Sequence, residues 1–429
     1  MNCISRLLIL SSLIACGACG MPASGTAAPA PAPASDSDYA VHYTITPQPA
    51  EGAVAIHMSV GQTRGQLREL SFSLANIEAS SVRADGDLLI TGDTLRWRPD
   101  NDGGSLTWES PARHQRSDGG YDAWLSTEWG IFRAEDIIPR ARTRTLKGAK
   151  SETSMSFELP DTWSVVSEYS TLNSRIDVAH SGRRFSQPRG WIALGQLGIR
   201  RETIAGTRIA IAAPQGQSVR RMDMLALLNW TLPELNAVLP NAIPRLTIVS
   251  AAEPMWRGGL SAPQSLFIHA DRPLISENAT STLMHEVVHV AIGTSASHGF
   301  DWIVEGLAEF YSLELLQRGG AITTRRYKRA LEKQLEWSKD APQLCARVSA
   351  GAATARAVIV YRDLDREMRK KSAGKVSLDD VLLRIANTPG RISLQTLVDI
   401  VTELLAEPAT TLNIENLPGC QKYLPAPEV

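Results

Sequence analysis

The chain has 429 residues, 43% of them hydrophobic and 21% charged, and a formal net charge of −1 at pH 7. This length suggests about two or three domains, and the composition is that of a globular protein rather than a disordered one. A near-neutral chain without a basic stripe lacks the electrostatic footprint of a nucleic-acid-binding protein, so we expect no nucleic-acid partner.

The N-terminus has the pattern of a bacterial export signal. One basic residue, Arg6, precedes the short apolar run Leu7–Ile14, and Leu13–Cys16 (Leu-Ile-Ala-Cys) fits a lipoprotein lipobox. The apolar run is far too short to span a bilayer as a permanent helix. Cys16 is therefore predicted to become the first residue of the mature protein, lipidated through its thiol.

These features divide the start of the chain into two segments. Residues 1–15 form the predicted lipoprotein signal peptide, and the Pro/Ala-rich residues 16–38 form a tether that holds the globular part off the membrane. An ordinary cleaved signal, or cleavage near Cys19, is the alternative. We expect a lipoprotein of the bacterial cell envelope that is anchored to a membrane by its N-terminal lipid and faces the periplasm.

Residues 39–205 are predicted to form a β-sandwich-like domain. Several runs show the alternation or the β-branched and aromatic composition of strands, and Asp-Gly, Gly-Gly and Pro turn signals separate them. The clearest of these runs are Tyr39–Thr46, Val54–Val60, Leu88–Thr91 and Ser105–Glu109.

The pattern then changes to a mixed core over residues 206–318 and to a helical domain over residues 319–429, so the predicted fold class is multidomain α+β. In the core we expect a helix at Val219–Val238, with a break near Pro233 as the alternative. The strands expected in the core are Thr207–Ala213, Arg245–Ser250 and Ser265–Ala270. The helices expected in the helical domain are Thr323–Ser338, Thr354–Lys371, Leu378–Ala386 and Leu394–Leu405.

Two of the five cysteines, Cys345 and Cys420, lie in the predicted helical domain, and the other three lie in the signal and the tether. Because an exported protein folds in an oxidising compartment, Cys345 and Cys420 are a candidate disulfide pair.

One short motif carries the clearest chemistry. The pentapeptide from His285 to His289 reads H-E-x-x-H, and in a helix its two histidines lie one turn apart on the same face. Two imidazoles so placed can bind one Zn²⁺, and the carboxylate of Glu286 can act as the general base that takes a proton from water. The competing interpretation is a helix that carries two partly buried histidines.

The surroundings of the motif favour the zinc interpretation. Ser276, Asn278 and Thr280 are candidate N-caps, and Gly293 is a candidate stop for a helix with an apolar face. Two histidines and a carboxylate in such an apolar helix are costly unless they are paired or bound to metal.

A catalytic zinc site needs a third protein ligand. Glu305 opens a second apolar-periodic helix and could bind the metal, while Glu309, one turn later, could orient a ligand or replace Glu305. His298 and Asp301, on the intervening loop, are fallback ligands. The competing interpretation of the two glutamates is a pair of solvated helix carboxylates.

These motifs resemble the glycyl-aminopeptidase family of gluzincin metallopeptidases, which belongs to the thermolysin-like superfamily. Glu305–Phe310, with Trp302 three residues before its glutamate, is similar to the superfamily's third-ligand segment. Asp365–Arg369 and Ser372–Asp380 look like the family's characteristic C-terminal segment. The resemblance implies a thermolysin-like zinc core at residues 206–318.

The resemblance also implies a role for each motif residue. It makes His285, His289 and Glu305 the ligands of Zn²⁺ and Glu286 the general base, and the substrate a peptide or an unfolded protein chain.

The chain departs from this family at three places. Ser261 follows a Gly-Gly-Leu turn where the family has a glutamate that binds the substrate's amino terminus. Thr354 falls where the family has a tyrosine that donates to the oxyanion, for which Tyr361 or Tyr311 could substitute. No room remains after about residue 406 for the family's common PDZ module.

The leading hypothesis is thus an exported, lipid-anchored zinc metallopeptidase whose exo- or endopeptidase character is open. The alternative is a catalytically impaired, zinc-containing binding or assembly lipoprotein. Ser261 and Thr354 favour the alternative, whereas Glu286 favours the enzyme because a structural zinc site needs no general base.

Overall fold

The computed structural model describes residues 37–169, 175–179 and 183–423. Over these ranges the N-terminal part is rich in strands and the C-terminal part is helical, so the multidomain α+β class is confirmed. The predicted signal peptide, Cys16 and nearly all of the tether lie outside the described residues. Within the described part, no helix combines the length and apolarity needed to cross a membrane.

The N-terminal part is built from fifteen strands and one short helix, α1 (Ala134–Ile137). Its strands are β1 (Tyr39–Gln48), β2 (Ala53–Gly61), β3 (Leu67–Ser73), β4 (Ser80–Ala84), β5 (Asp87–Thr91), β6 (Thr94–Arg98), β7 (Gly103–Pro111), β8 (His114–Gln115), β9 (Tyr121–Leu125), β10 (Trp129–Arg133), β11 (Arg142–Thr145), β12 (Ser151–Phe157), β13 (Ser164–Val166), β14 (Ile176–Val178) and β15 (Trp191–Gly195).

These strands form three sheets, with the orders β14-β12-β1-β2-β7-β4, β13-β15-β10-β9-β8 and β11-β3-β6-β5. Side chains from all three sheets meet in one hydrophobic core that includes Tyr43, Trp97 and Phe132. The alternation of β2, with every second residue buried, shows why the sequence pattern identifies such strands. Three sheets, rather than the two of a simple sandwich, share this core.

A mixed five-stranded sheet follows, with the order β16-β17-β18-β20-β19. Its strands are β16 (Leu197–Ile204), β17 (Thr207–Pro214), β18 (Arg245–Ala251), β19 (Gly259–Ala262) and β20 (Ser265–His269). The β16–β17 hairpin turns at residues 205–206, so the predicted domain boundary falls inside this hairpin, and β16 belongs to this sheet. β19 runs antiparallel to β20 and forms one edge of the sheet.

The described chain has seven further α-helices: α2 (Arg221–Val238), α3 (Thr282–Ile292), α4 (Trp302–Arg318), α5 (Thr324–Ser338), α6 (Ala352–Lys371), α7 (Leu378–Ala386) and α8 (Leu394–Leu405). α2 continues through Pro233 without a break. The last four helices lie within two residues of their predicted bounds, because Ser and Thr caps mark the starts of α5, α7 and α8.

The mixed sheet and the C-terminal helices share a single hydrophobic core that runs from Ile204 to Cys420. The predicted division at residue 318 therefore does not separate two cores. Gly306 allows α4 to pack closely on α6, since a Cβ atom there would lie 2.5 Å from Ala357 Cβ. Cys345 and Cys420 form a disulfide in this structure.

We expect the double variant Cys345→Ala/Cys420→Ala to lose about 2–5 kcal/mol of unfolding free energy. The disulfide joins residues that are 75 positions apart, so it restricts the unfolded chain strongly. Denaturant unfolding measures the loss. Reduced wild-type protein is the control, because it keeps both sulfur atoms and the contact between Cys345 and Trp302. Equal stability of the oxidised and reduced wild-type chains would contradict this expectation.

Candidate metal centre and active-site cleft

Helix α3 holds the H-E-x-x-H motif. Its N-cap is Ser281, whose side chain accepts a hydrogen bond from the Met284 N–H, rather than one of the three earlier residues predicted for this position. Its C-cap is Gly293, as predicted, with φ of 65°. The helix places the Nε2 atoms of His285 and His289 3.1 Å apart.

Helix α4 brings Glu305 against both imidazoles. Its Oε2 lies 3.3 Å from His285 Nε2, and its Oε1 lies 3.3 Å from His289 Nε2. In a tetrahedral zinc site with bonds of about 2.0–2.1 Å, neighbouring ligand atoms lie about 3.3–3.4 Å apart. The three side chains therefore fit a zinc ion. Among the described residues, the His, Cys, Asp or Glu side chains that lie close enough together in a group of three to share a metal ion are those of His285, His289 and Glu305.

The electrostatics of the group also suit a cation. Burial alone would lower the pKa of His285, but its hydrogen bonds to Glu305 and Glu309 outweigh burial and raise the pKa to about 10. Burial would raise the pKa of Glu305, whereas its contacts with His285 and His289 lower the pKa to about 2. These carboxylates stabilise positive charge, whether a proton or a metal supplies it.

A second carboxylate orients the first ligand. Glu309 Oε2 lies 3.1 Å from His285 Nδ1, and Gln334 of α5 donates to Glu309 Oε1 at 3.1 Å. A proton on Nδ1 leaves Nε2 free to bind metal. Gln334 is buried and was not predicted, because no sequence pattern links α5 to α4.

The carboxyl of Glu286 faces the edge strand β19. Ser261 donates a hydrogen bond to it, and burial raises its pKa. A Cβ atom at Gly259 would lie 2.8 Å from Glu286 Cγ, so glycine is required for this approach. Ser261, which falls where the resembled family has a glutamate, thus contacts the candidate general base.

An open cleft of about 1190 Å³ contains the whole group. The cleft is lined by residues of β19, α3, α4, α5 and the loop before α6. Thr354, in the first turn of α6, lines the cleft at the position where the resembled family has a tyrosine. An open position beside three protein ligands is typical of catalytic rather than structural zinc sites.

Comparison with known proteins gives information on the fold of the chain. No protein-family model matches the chain, and no curated protein is similar to it in sequence. The crystal structure of an aminopeptidase N family protein from Idiomarina loihiensis matches it with a TM-score of 0.62 at 14% identity, over 84% of this chain and 72% of that one. The chain has an aminopeptidase N-like fold. At this identity, the chemistry has to be argued from the side chains.

The two tyrosines predicted as oxyanion donors lie away from the cleft. The Tyr361 hydroxyl is fully buried and donates to the Ile303 carbonyl at 2.9 Å, because Tyr361 packs in the interface between α4 and α6. Tyr311 donates to Asp379 at 2.8 Å. Neither residue lines the cleft.

The fallback ligands lie apart from the metal centre. The His298 ring packs on Tyr423, with the ring centroids 5.7 Å apart. Asp301 lines the cleft, but one of its oxygens accepts the Ser349 N–H at 2.8 Å. Glu305 is therefore the third ligand that the geometry favours.

We expect Glu309→Ala to weaken zinc binding by about 10–100-fold, because His285 loses the carboxylate that orients its ring. A competition titration with a metal chelator measures this change. Glu332→Ala, which removes an exposed carboxylate from α5, is the matched control and should leave the affinity unchanged. An unchanged affinity in Glu309→Ala would remove this orienting role.

Proposed function

We propose that the protein is an exported, lipid-anchored zinc metallopeptidase of the gluzincin type that hydrolyses peptides or unfolded chains. One observation carries this proposal. His285, His289 and Glu305 converge within metal-binding distance of one another in an open cleft, and the buried carboxyl of Glu286 lines the same cleft.

Each residue has a role in the proposed reaction. His285, His289 and Glu305 would hold Zn²⁺, which when bound supplies the Lewis acidity that polarises a carbonyl and makes water more acidic. Glu286 takes the proton from the attacking water and passes it to the leaving amine. Burial raises the pKa of Glu286, which makes it a stronger base than an exposed glutamate.

The edge strand supports a peptide as the substrate. β19 pairs with β20 on one side, and among the described strands it has no neighbour on the other side. An extended chain can add to such an edge through backbone hydrogen bonds. A folded protein cannot easily present an extended segment, so peptides and unfolded chains are the expected substrates.

One observation favours the alternative, a catalytically impaired binding or assembly lipoprotein. No tyrosine is among the described residues that line the cleft, so the usual hydroxyl donor to the oxyanion is missing. A single such donor contributes about 2.7–4 kcal/mol. This loss slows a peptidase without removing its metal or its base.

The membrane anchor in this proposal rests on the sequence around Cys16. We expect Cys16→Ser to abolish incorporation of labelled fatty acid and to move the protein from the membrane fraction to the soluble fraction. Cys19→Ser is the matched control and should keep the label. Retention of the label in Cys16→Ser would contradict lipidation at this position.

Digestion of a peptide library with free and blocked amino termini tests the proposed activity. We expect cleavage that a zinc chelator abolishes and that added zinc restores. Without a glutamate at residue 261 to bind an ammonium group, blocked peptides should also be cleaved. If zinc-loaded protein cleaved no member of the library, the proposed peptidase function would be refuted. The alternative, a binding or assembly lipoprotein, would then remain.

A further inference from the structure

The N-terminal part of the chain contributes to the catalytic cleft. Tyr121 of β9 donates through its N–H to the Pro254 carbonyl at 3.1 Å, and the Trp256 N–H donates to the Tyr121 carbonyl at 2.7 Å. This pairing brings Arg116, from the turn between β8 and β9, to the cleft beside Trp256 and Gly258, where the chain enters β19. A residue far from the zinc motif in sequence therefore lines the cleft.

The guanidinium of Arg116 contacts an aromatic ring and a carboxylate. Its guanidinium carbon lies 4.2 Å from the centre of the Trp256 ring, a cation–π contact. Its Nη1 lies 3.5 Å from Asp122, which is shared with His114, and its Nε is buried without a hydrogen-bond acceptor. Stacking on Trp256 and the ion pair with Asp122 together hold this guanidinium beside the cleft.

A second arginine lines the cleft near the same end of β19. Arg272 follows β20, and its N–H donates to the carbonyl of His269, which itself pairs with Gly258. The carboxylates of Glu253 and Asp271 pair instead with Arg257, at 2.7 and 3.6 Å. Among the described residues, the exposed Arg272 side chain has no carboxylate within ion-pairing distance.

One of the acidic side chains that line the cleft, Glu286, contacts β19, where Ser261 donates a hydrogen bond to it. Glu305 belongs to the candidate metal group and Glu309 contacts His285 of that group, while Asp301 and Asp340 line the part of the cleft formed by the helices and the loop before α6. At the other end of β19, Ser261 stands in place of a glutamate. At the entry to β19, Arg116 and the exposed Arg272 thus place two guanidinium groups in the cleft.

We propose that Arg116 and Arg272 determine specificity by selecting peptides with a carboxylate beside the bond to be cleaved. This inference rests on the proposed peptidase function and names its substrate class. The carboxylate can belong to an acidic side chain or to the carboxyl end of a short peptide. Guanidinium groups bind both through charge-assisted hydrogen bonds.

Matched peptides test this proposal. Each pair differs by Glu or Gln at one position around the scissile bond, and a second series has a free or an amidated carboxyl end, which separates the two sources of the carboxylate. We expect wild type to favour the charged member by about tenfold or more in kcat/KM. The preference should fall as salt is raised.

The variants Arg272→Gln and Arg116→Gln/Arg272→Gln should bring the ratio of charged to neutral cleavage towards one. Because Arg272 is exposed, its single variant tests the proposal even if the double variant folds poorly. Arg142→Gln removes an exposed arginine from β11, outside the cleft, and should keep the wild-type ratio. An unchanged ratio in Arg272→Gln and in the double variant would overturn the proposal.

Peptide binding to Glu286→Gln, followed by fluorescence anisotropy, separates recognition from hydrolysis. Tighter binding of the charged peptides supports the proposal, even if wild type cleaves nothing and the peptidase function fails. Equal binding of charged and neutral peptides overturns it. Cleavage without a charge preference overturns it too, but leaves the peptidase function standing.

Discussion

Glu286→Gln is expected to reduce peptide hydrolysis by about 10²–10⁴-fold, the usual contribution of a general base. Glutamine has nearly the same shape as glutamate and can still accept a hydrogen bond from the Ser261 hydroxyl. Its neutral amide cannot take a proton from water. Glu286 lies outside the three-residue metal group, so the zinc content should stay at the wild-type value.

Steady-state kinetics on one cleavable peptide measure the loss of hydrolysis. Zinc analysis of the same sample measures the metal content. Glu277→Gln is the matched control, because it removes an exposed carboxylate shortly before α3 and should keep the wild-type rate. A Glu286→Gln protein that holds zinc and works at the wild-type rate would show that another group activates the water.

Glu305→Ala is expected to have the second largest effect, the loss of tightly bound zinc. The variant leaves two imidazoles on one helix turn, which is too few protein ligands for a stable zinc site. The loss of affinity should exceed the roughly 10–100-fold expected for a residue that only orients a ligand, such as Glu309.

Zinc stoichiometry after purification, followed by chelator competition, measures this loss. Asp301→Ala is an informative control, since Asp301 lines the same cleft but bonds to the Ser349 backbone. It should retain zinc at the wild-type stoichiometry. If Glu305→Ala kept zinc at the wild-type affinity, Glu305 would not be a ligand, and Asp301 or Glu309 would have to take its place.

The parts of the fold that the sequence predicts well depend on local interactions. α7 and α8 have the predicted bounds because a serine caps each start and a 3.6-residue apolar pattern follows. The spacing of His285 and His289 is likewise a property of one helix turn. These features need no knowledge of distant residues.

The sheets and the domain boundaries are harder to predict from the sequence, because they depend on pairing between strands that are far apart in the chain. β1 pairs in parallel with β12, more than a hundred residues later, and no local pattern encodes that partner. The boundary predicted at residue 205 lies in a hairpin turn, since a turn signal within a domain looks the same as one between domains. The single core shared by sheet and helices could not be predicted for the same reason.

The candidate site likewise has residues that the sequence predicts and residues that it does not. Each candidate metal ligand could be predicted from a local motif. Gln334 and Arg116, in contrast, reach the cleft only through tertiary packing. The prediction for Tyr361 failed because a helical position does not show which face is buried against a neighbouring helix. Ser261, a departure from the family pattern in sequence, acquires a contact with Glu286 in the structure.

The anomalous X-ray scattering of a crystal of the purified protein, measured at the zinc absorption edge, tests the central claim most directly. The account predicts one zinc peak in the cleft, about 2.0–2.2 Å from His285 Nε2, His289 Nε2 and a Glu305 oxygen. A zinc-supplemented crystal with no peak there, or with a peak bound by other side chains, would contradict the assignment of these three residues as the metal centre.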